Sequence, residues 1–166
     1  GWLLVVISVL RHKPTAGKDN TLIDCAPGKE RMEHKHWPNL ATLFFTRAGE
    51  LGDKPFLWHK VEPDWQSTSW AVAASRTAAI TRALGDLGIT AGDRVALVSE
   101  SRPEWPIADI AIMAAGAISV PAYTTNSVRD HLHVLTDSGA SGIIVSTSFL
   151  AKTVLQAAID APTVKF

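Results

Sequence analysis

The chain of 166 residues is short of several things, and each shortage removes a class of function. A single cysteine, Cys25, excludes an intramolecular disulfide framework and a cysteine-rich metal site, and it fits a reduced, intracellular setting. Lysine plus arginine and aspartate plus glutamate stand at 16 each, so no basic excess is on hand to neutralise a phosphate backbone. That argues against nucleic acid as a partner. The apolar run Gly1–Leu10 falls far short of the roughly 20 residues that a spanning helix needs. Nothing basic precedes that run and Arg11-His12-Lys13-Pro14 follows it, the wrong flanks for a signal peptide. Glycine-rich dinucleotide and phosphate-cradling loops are missing, as is a Gly-x-Ser-x-Gly elbow.

What is present reads as a folded domain, with 46% hydrophobic and 19% charged residues. Regular patterning starts only near Pro38. Residues 1–37 are therefore expected to be an unpatterned leader. The chain begins with Gly1, and Met32 lies just ahead of the patterned region, so residues 1–31 are read either as upstream sequence foreign to the natural protein or as a poorly structured leader.

From there the elements follow in order. Asn39 caps a helix with apolar positions Leu40, Leu43, Phe44, Ala48 and Leu51. Phe56–Val61 and Trp65–Thr68, joined by Glu62-Pro63-Asp64, form a β-hairpin. Ser69 opens a helix whose buried stripe is expected to be Val72, Ala79, Ile80, Ala83, Leu84 and Leu87, with Gly88 past its end. Arg94–Ser99 is short, apolar and β-branched, as a strand buried on both faces should be. Ser101 and Glu104 have capping-box spacing before a helix through Ile107, Ile110, Ala111 and Ala114 to Gly116. A strand at Ile118–Val120, a second box at Ser127 and Asp130, a helix to Ser138-Gly139, a strand at Gly142–Ser146 and a helix at Phe149–Asp160 complete the series. Thr163–Phe166 reads as the start of a further strand.

Strand centres near Leu97, Ser119 and Ile144, separated by single helices, imply right-handed crossovers. The fold class is α/β: a parallel sheet with helices on both faces, plus an N-terminal hairpin.

In such sheets ligands sit beyond the carboxyl ends of strands. Two loops qualify, Glu100-Ser101-Arg102 and Tyr123-Thr124-Thr125-Asn126-Ser127. The second offers hydroxyls and an amide ahead of a helix, a setting suited to an anion, although helix capping accounts for these residues unaided. His131 and His133 are two apart on a helix and point away from each other, so they cannot clamp one ion and are expected to be partly exposed. His34-Lys35-His36 falls in the leader. Trp58, Trp65, Trp70 and Trp105 are expected to pack in the core or at its edges. The residues by themselves assign no catalytic group and no metal ligand, and they leave cofactor contacts open.

The stretch from Pro38 onward nevertheless resembles the N-terminal region of long-chain fatty-acyl-CoA synthetases, members of the adenylate-forming (AMP-binding) superfamily. The likeness rests on Pro38-Asn39-Leu40 with Phe44-Phe45, on Ser69-Trp70, and on Leu87-Gly88-Ile89 through Gly92-Asp93-Arg94-Val95-Ala96. It continues in Ser99-Glu100-Ser101-Arg102-Pro103-Glu104-Trp105, where the family commonly has asparagine at the position of Ser101. Ala114-Ala115-Gly116-Ala117, Val120-Pro121-Ala122-Tyr123 and Asp137-Ser138-Gly139-Ala140 complete it.

The resemblance implies that residues 38–166 are a partial AMP-binding domain, truncated at its C-terminus, from an ATP-dependent fatty-acid–CoA ligase. Such enzymes use ATP and Mg²⁺ to form an acyl-adenylate with loss of pyrophosphate, and coenzyme A then displaces AMP to give a thioester. Their partners are fatty acid, ATP and CoA. Their setting is cytoplasmic, and a lipid-like substrate is compatible with peripheral membrane contact.

The family's Ser/Thr/Gly-rich loop ending in Lys-Gly, its aromatic-Gly-x-Thr-Glu and Thr-Gly-Asp motifs and its C-terminal lysine do not occur in this sequence. The chain by itself is therefore expected to be inactive. A non-catalytic half-domain acting as a binding or interaction module is the alternative. An unrelated α/β nucleotide-binding domain is disfavoured by the missing glycine pattern.

Overall fold

A computed structural model describes residues 37–164. The leader up to residue 36, with its apolar run and His34-Lys35-His36, lies outside the described residues. Helix α1 (Leu40–Leu51) is capped by Asn39, whose side chain accepts from the Thr42 amide at 2.8 Å. Strands β1 (Pro55–Val61) and β2 (Asp64–Ser69) form the expected antiparallel hairpin. They lead into α2 (Trp70–Asp86), which is capped by Ser69. The remaining elements are β3 (Arg94–Val98), α3 (Glu104–Ala114), β4 (Ile118–Ala122), α4 (Val128–Ser138), β5 (Gly142–Val145) and α5 (Ser148–Asp160).

β3, β4 and β5 are parallel, in the order β4-β3-β5. The chain steps from β3 to β4 in one direction and from β4 back past β3 to β5 in the other. Two right-handed crossovers running in opposite directions must lie on opposite faces. The cores record this. Val95, Leu97 and Ile144 pack with Ala108 and Ile112 of α3 and Leu84 of α2 on one face. Ala96, Val98, Ile143 and Val145 pack with Leu135 of α4 and Leu150 and Val154 of α5 on the other. Alternation along each strand sends successive side chains to opposite faces, which is why both must be apolar. A third cluster joins Phe44 of α1, Ala73 of α2 and Ile107 and Ile110 of α3. Trp70 seals it against Phe56, with ring centroids 3.8 Å apart.

The amino ends of the strands are clamped. Arg94 donates from Nε to the Ser138 carbonyl at 2.9 Å and from Nη2 to the Gly139 carbonyl at 2.8 Å, satisfying carbonyls that the end of α4 leaves open. Gly139 has φ of 61°, and a Cβ there would stand 2.6 Å from Arg94 Nη2. Asp93 accepts from the Thr90 amide at 2.7 Å and from its hydroxyl at 2.9 Å. Its other oxygen accepts from Ser141 Oγ at 3.3 Å.

The structure corrects the reading in several places. The buried residues of α2 are Ala73, Thr77 and Leu84, while Val72, Ala79 and Leu87 are exposed. The inward stripe runs through a threonine at position 77; a pattern that skipped polar residues kept Leu84 but missed Ala73 and Thr77. The Ser101–Glu104 capping box does not form: α3 begins only at Glu104, Pro103 occupies the cap position, and Glu104 instead holds Arg102 Nε at 2.7 Å. Thr163 and Val164 are not in a strand, and the remainder of that predicted strand lies outside the described residues. The capping box at Ser127 and Asp130 is present in both directions.

Candidate functional site at the carboxyl end of the sheet

At the carboxyl ends of β3 and β5 the chain departs to opposite faces, into α3 and α5. Neighbouring strands whose continuations diverge leave a crevice between them, the usual ligand position in open α/β sheets. An open cleft of about 800 Å³ lies there. One wall is the loop after β3, with Glu100, Ser101, Arg102 and Pro103, followed by Glu104. Thr147, the residue that caps α5, borders it from β5.

The hairpin supplies the facing wall with Leu57, Trp58, His59, Lys60 and Trp65. Trp58 lies opposite Ser67 and Lys60 opposite Trp65, so directly paired residues put all four on one face of the hairpin. That face looks outward, which corrects the expectation for two of the tryptophans: Trp58 is 57% exposed and Trp65 63%. Trp70 is packed with Phe56, and Trp105 is partly buried against the α2–α3 side of the sheet.

The cleft's charges are largely matched. Arg102 meets Glu104, and Lys60 Nζ stands 2.7 Å from Glu62. Glu100 accepts a hydrogen bond from Ser146 Oγ at the end of β5. That bond is the main reason its carboxyl is held below the ordinary carboxylate range, so the group is ionised at neutral pH. His59, on the inward face of the hairpin, carries a buried Nδ1 without a partner among the described residues.

The second predicted loop, Tyr123 to Ser127, sits at the carboxyl end of β4. Tyr123 is 80% exposed and Thr125 is exposed, with Thr124 and Asn126 half-buried. Among the described residues the capping of α4 is carried by Ser127 and Asp130, not by Thr124, Thr125 or Asn126. Capping therefore explains only the last member of that loop.

His131 and His133 do point apart, but His131 is buried, not partly exposed, because it shares the inward side of α4 with Leu135. Burial pushes its imidazole below the ordinary value, against a smaller upward pull from Asp130. Sequence reasoning brought Glu100 and Arg102 to the site but missed Trp58, Lys60 and Trp65 and the Ser146–Thr147 pair. Strand alternation marks Trp58 and Lys60 as sharing a face, but nothing local to either residue says what that face overlooks.

A divalent cation needs several hard oxygen ligands, yet among the described residues no three His, Cys, Asp or Glu side chains come together as such a site requires. No step through Mg²⁺ is assigned to these residues. No helix among them is long and apolar enough to cross a membrane.

Comparison with known proteins agrees with the geometry. The family model for AMP-binding enzymes matches residues 44–165. The long-chain-fatty-acid–CoA ligase FadD15 of Mycobacterium tuberculosis is 33% identical over 127 residues, which are 76% of this chain and 21% of that protein. The chain thus spans about a fifth of the length of this curated relative. Among solved structures, a benzoate CoA ligase from Burkholderia xenovorans superposes with a TM-score of 0.64 at 25% identity, over 73% of this chain and 24% of that one. The anthranilate CoA ligase AuaEII, at 18% identity, shares the fold with a TM-score of 0.66 over 75% of this chain and 23% of its own. A doubly wound sheet in this strand order, with a family match across most of its length, establishes that the chain belongs to the AMP-binding, adenylate-forming enzyme family.

Proposed function

We propose that this chain forms the front part of the AMP-binding domain of an ATP-dependent fatty-acid–CoA ligase, and that it does not catalyse the reaction by itself. The observation that carries the reading is the family match across residues 44–165, joined to a relative that acts as a long-chain-fatty-acid–CoA ligase. In the complete enzyme the carboxylate of a fatty acid attacks the α-phosphorus of ATP and pyrophosphate leaves, after which CoA displaces AMP. Mg²⁺ would supply charge neutralisation on the phosphates. This chemistry depends on positioning and on matched charge. The sequence here lacks the phosphate-gripping loop, the acidic motifs and the mobile lysine that the family uses for it.

What the chain contributes is the sheet and the loops at its carboxyl end. In this reading Thr124, Thr125 and Asn126 face substrate, since the cap of α4 does not need them. We place the protein in the cytoplasm, with peripheral contact to membranes where its lipid-like substrate resides.

The test is fatty-acid-dependent exchange of labelled pyrophosphate into ATP. The purified 166-residue chain is expected to show none, and the polypeptide read through beyond Phe166 is expected to show it. Robust exchange by the short chain would refute its inactivity. Absence of exchange and of acyl-CoA formation by the longer one would refute the ligase assignment.

A further inference from the structure

Among the described residues, the carboxyl end of the sheet holds one side-chain hydrogen bond between residues far apart in sequence. It runs from Ser146 Oγ to Glu100 Oε2, across 46 positions. The other side-chain pairs at this end, Arg102 with Glu104 and Ser127 with Asp130, are local to a single loop. The backbone prepares the bond, because the Ser146 amide already donates to the Val98 carbonyl at 3.1 Å, extending the ladder between β3 and β5 by one residue. It lies where the two strands part toward opposite faces, so it joins the loop bearing Arg102 to the residue before Thr147 at the start of α5. Glu100 and Thr147 both border the cleft.

We infer that Glu100 is a positioning residue of the ligase, clasping the loop after β3 to the start of α5 and so fixing the shape of the cleft that receives substrate. This inference rests on the function proposed above. A single hydrogen bond at an exposed edge contributes little to global stability. Its loss should therefore appear in substrate affinity before it appears in the melting temperature.

The experiment is steady-state kinetics of the polypeptide read through beyond Phe166, with ATP, CoA and fatty acid varied in turn. Glu100→Ala and Ser146→Ala are each expected to raise the KM of at least one substrate about fivefold or more, with kcat within about twofold, as for an interaction worth about 1 kcal/mol. The double variant should be no worse than either single one, because both remove the same bond. Glu100→Gln, which keeps an acceptor oxygen, should recover most of the loss. Unchanged KM values alongside a lowered melting temperature would show a structural tie only and overturn the inference. Losses that multiply in the double variant would also overturn it, since the residues would then act separately.

A second measurement separates this inference from the functional reading. In the 166-residue chain, Ser146→Ala should raise the Glu100 carboxyl toward its ordinary value, followed by NMR. If that coupling is seen but the longer unmutated polypeptide has no ligase activity, the ligase reading has failed while the clasp stands as geometry. If activity is present and the coupling is absent, the clasp has failed.

Discussion

The two ends of the three-stranded sheet are built from similar residues and behave as opposites. At the amino end, Asp93, Arg94, Ser138, Gly139 and Ser141 bond to one another across elements. Two segments that carry the family likeness, Gly92-Asp93-Arg94 and Asp137-Ser138-Gly139-Ala140, meet there and hold α4 to β3. At the carboxyl end the loops are open, their bonds are mostly local, and the aromatic residues of the hairpin, Trp58 and Trp65, border the same cleft. Likeness to a family can thus mark a place that builds the fold as readily as one that does its chemistry. A doubly wound sheet spends its order at one end and leaves the other free for ligands.

The comparison breaks most sharply at Arg94. Arg94→Ala strips the end of α4 of its guanidinium partner and is expected to cost about 2–3 kcal/mol, the scale of hydrogen bonds to a charged group, as read by urea unfolding. A change within ~0.5 kcal/mol would mean that the amino-end clamp is ornamental. Next in size is Ser127→Ala, which removes a cap formed in both directions. About 1 kcal/mol is expected from thermal or chemical unfolding.

A smaller effect is expected from acid. The His131 imidazole is depressed by burial, so the folded chain binds fewer protons than the unfolded one just below the ordinary value of 6.5. Stability from this group is complete above that value and is lost as pH falls from it toward the depressed folded value. His131→Leu should flatten the fall of the unfolding midpoint over that window, and an unchanged slope would remove His131 as its source. The smallest effect belongs to the carboxyl end: Ser101→Ala should change unfolding free energy by less than ~0.5 kcal/mol, because Ser101 does not cap α3. A cost near 1 kcal/mol would restore the cap that the sequence suggested.

Most of the architecture was legible because its signals are local. The caps at Asn39, Ser69 and Ser127 begin helices as read, and Val95–Val98 and Gly142–Val145 are buried on both faces as their unbroken apolar character requires. The failures have physical causes. Thr77 is fully buried in α2, where a polar residue hid the true stripe. Ser101 and Glu104 have the spacing of a box, but an adjacent arginine takes the carboxylate. The candidate site was only half legible. Glu100 and Arg102 follow from their place after a strand, whereas Ser146 and the outward face of the hairpin become relevant only through contacts between distant parts of the chain.

The most direct test of the carboxyl end as the substrate face is kinetic. Thr124, Thr125 and Asn126 would be replaced together by alanine in the polypeptide read through beyond Phe166, with KM for ATP, CoA and fatty acid and the melting temperature measured side by side. A KM raised about tenfold or more for at least one substrate, with the melting temperature nearly unmoved, is the predicted result. Unchanged affinity for all three substrates would contradict it.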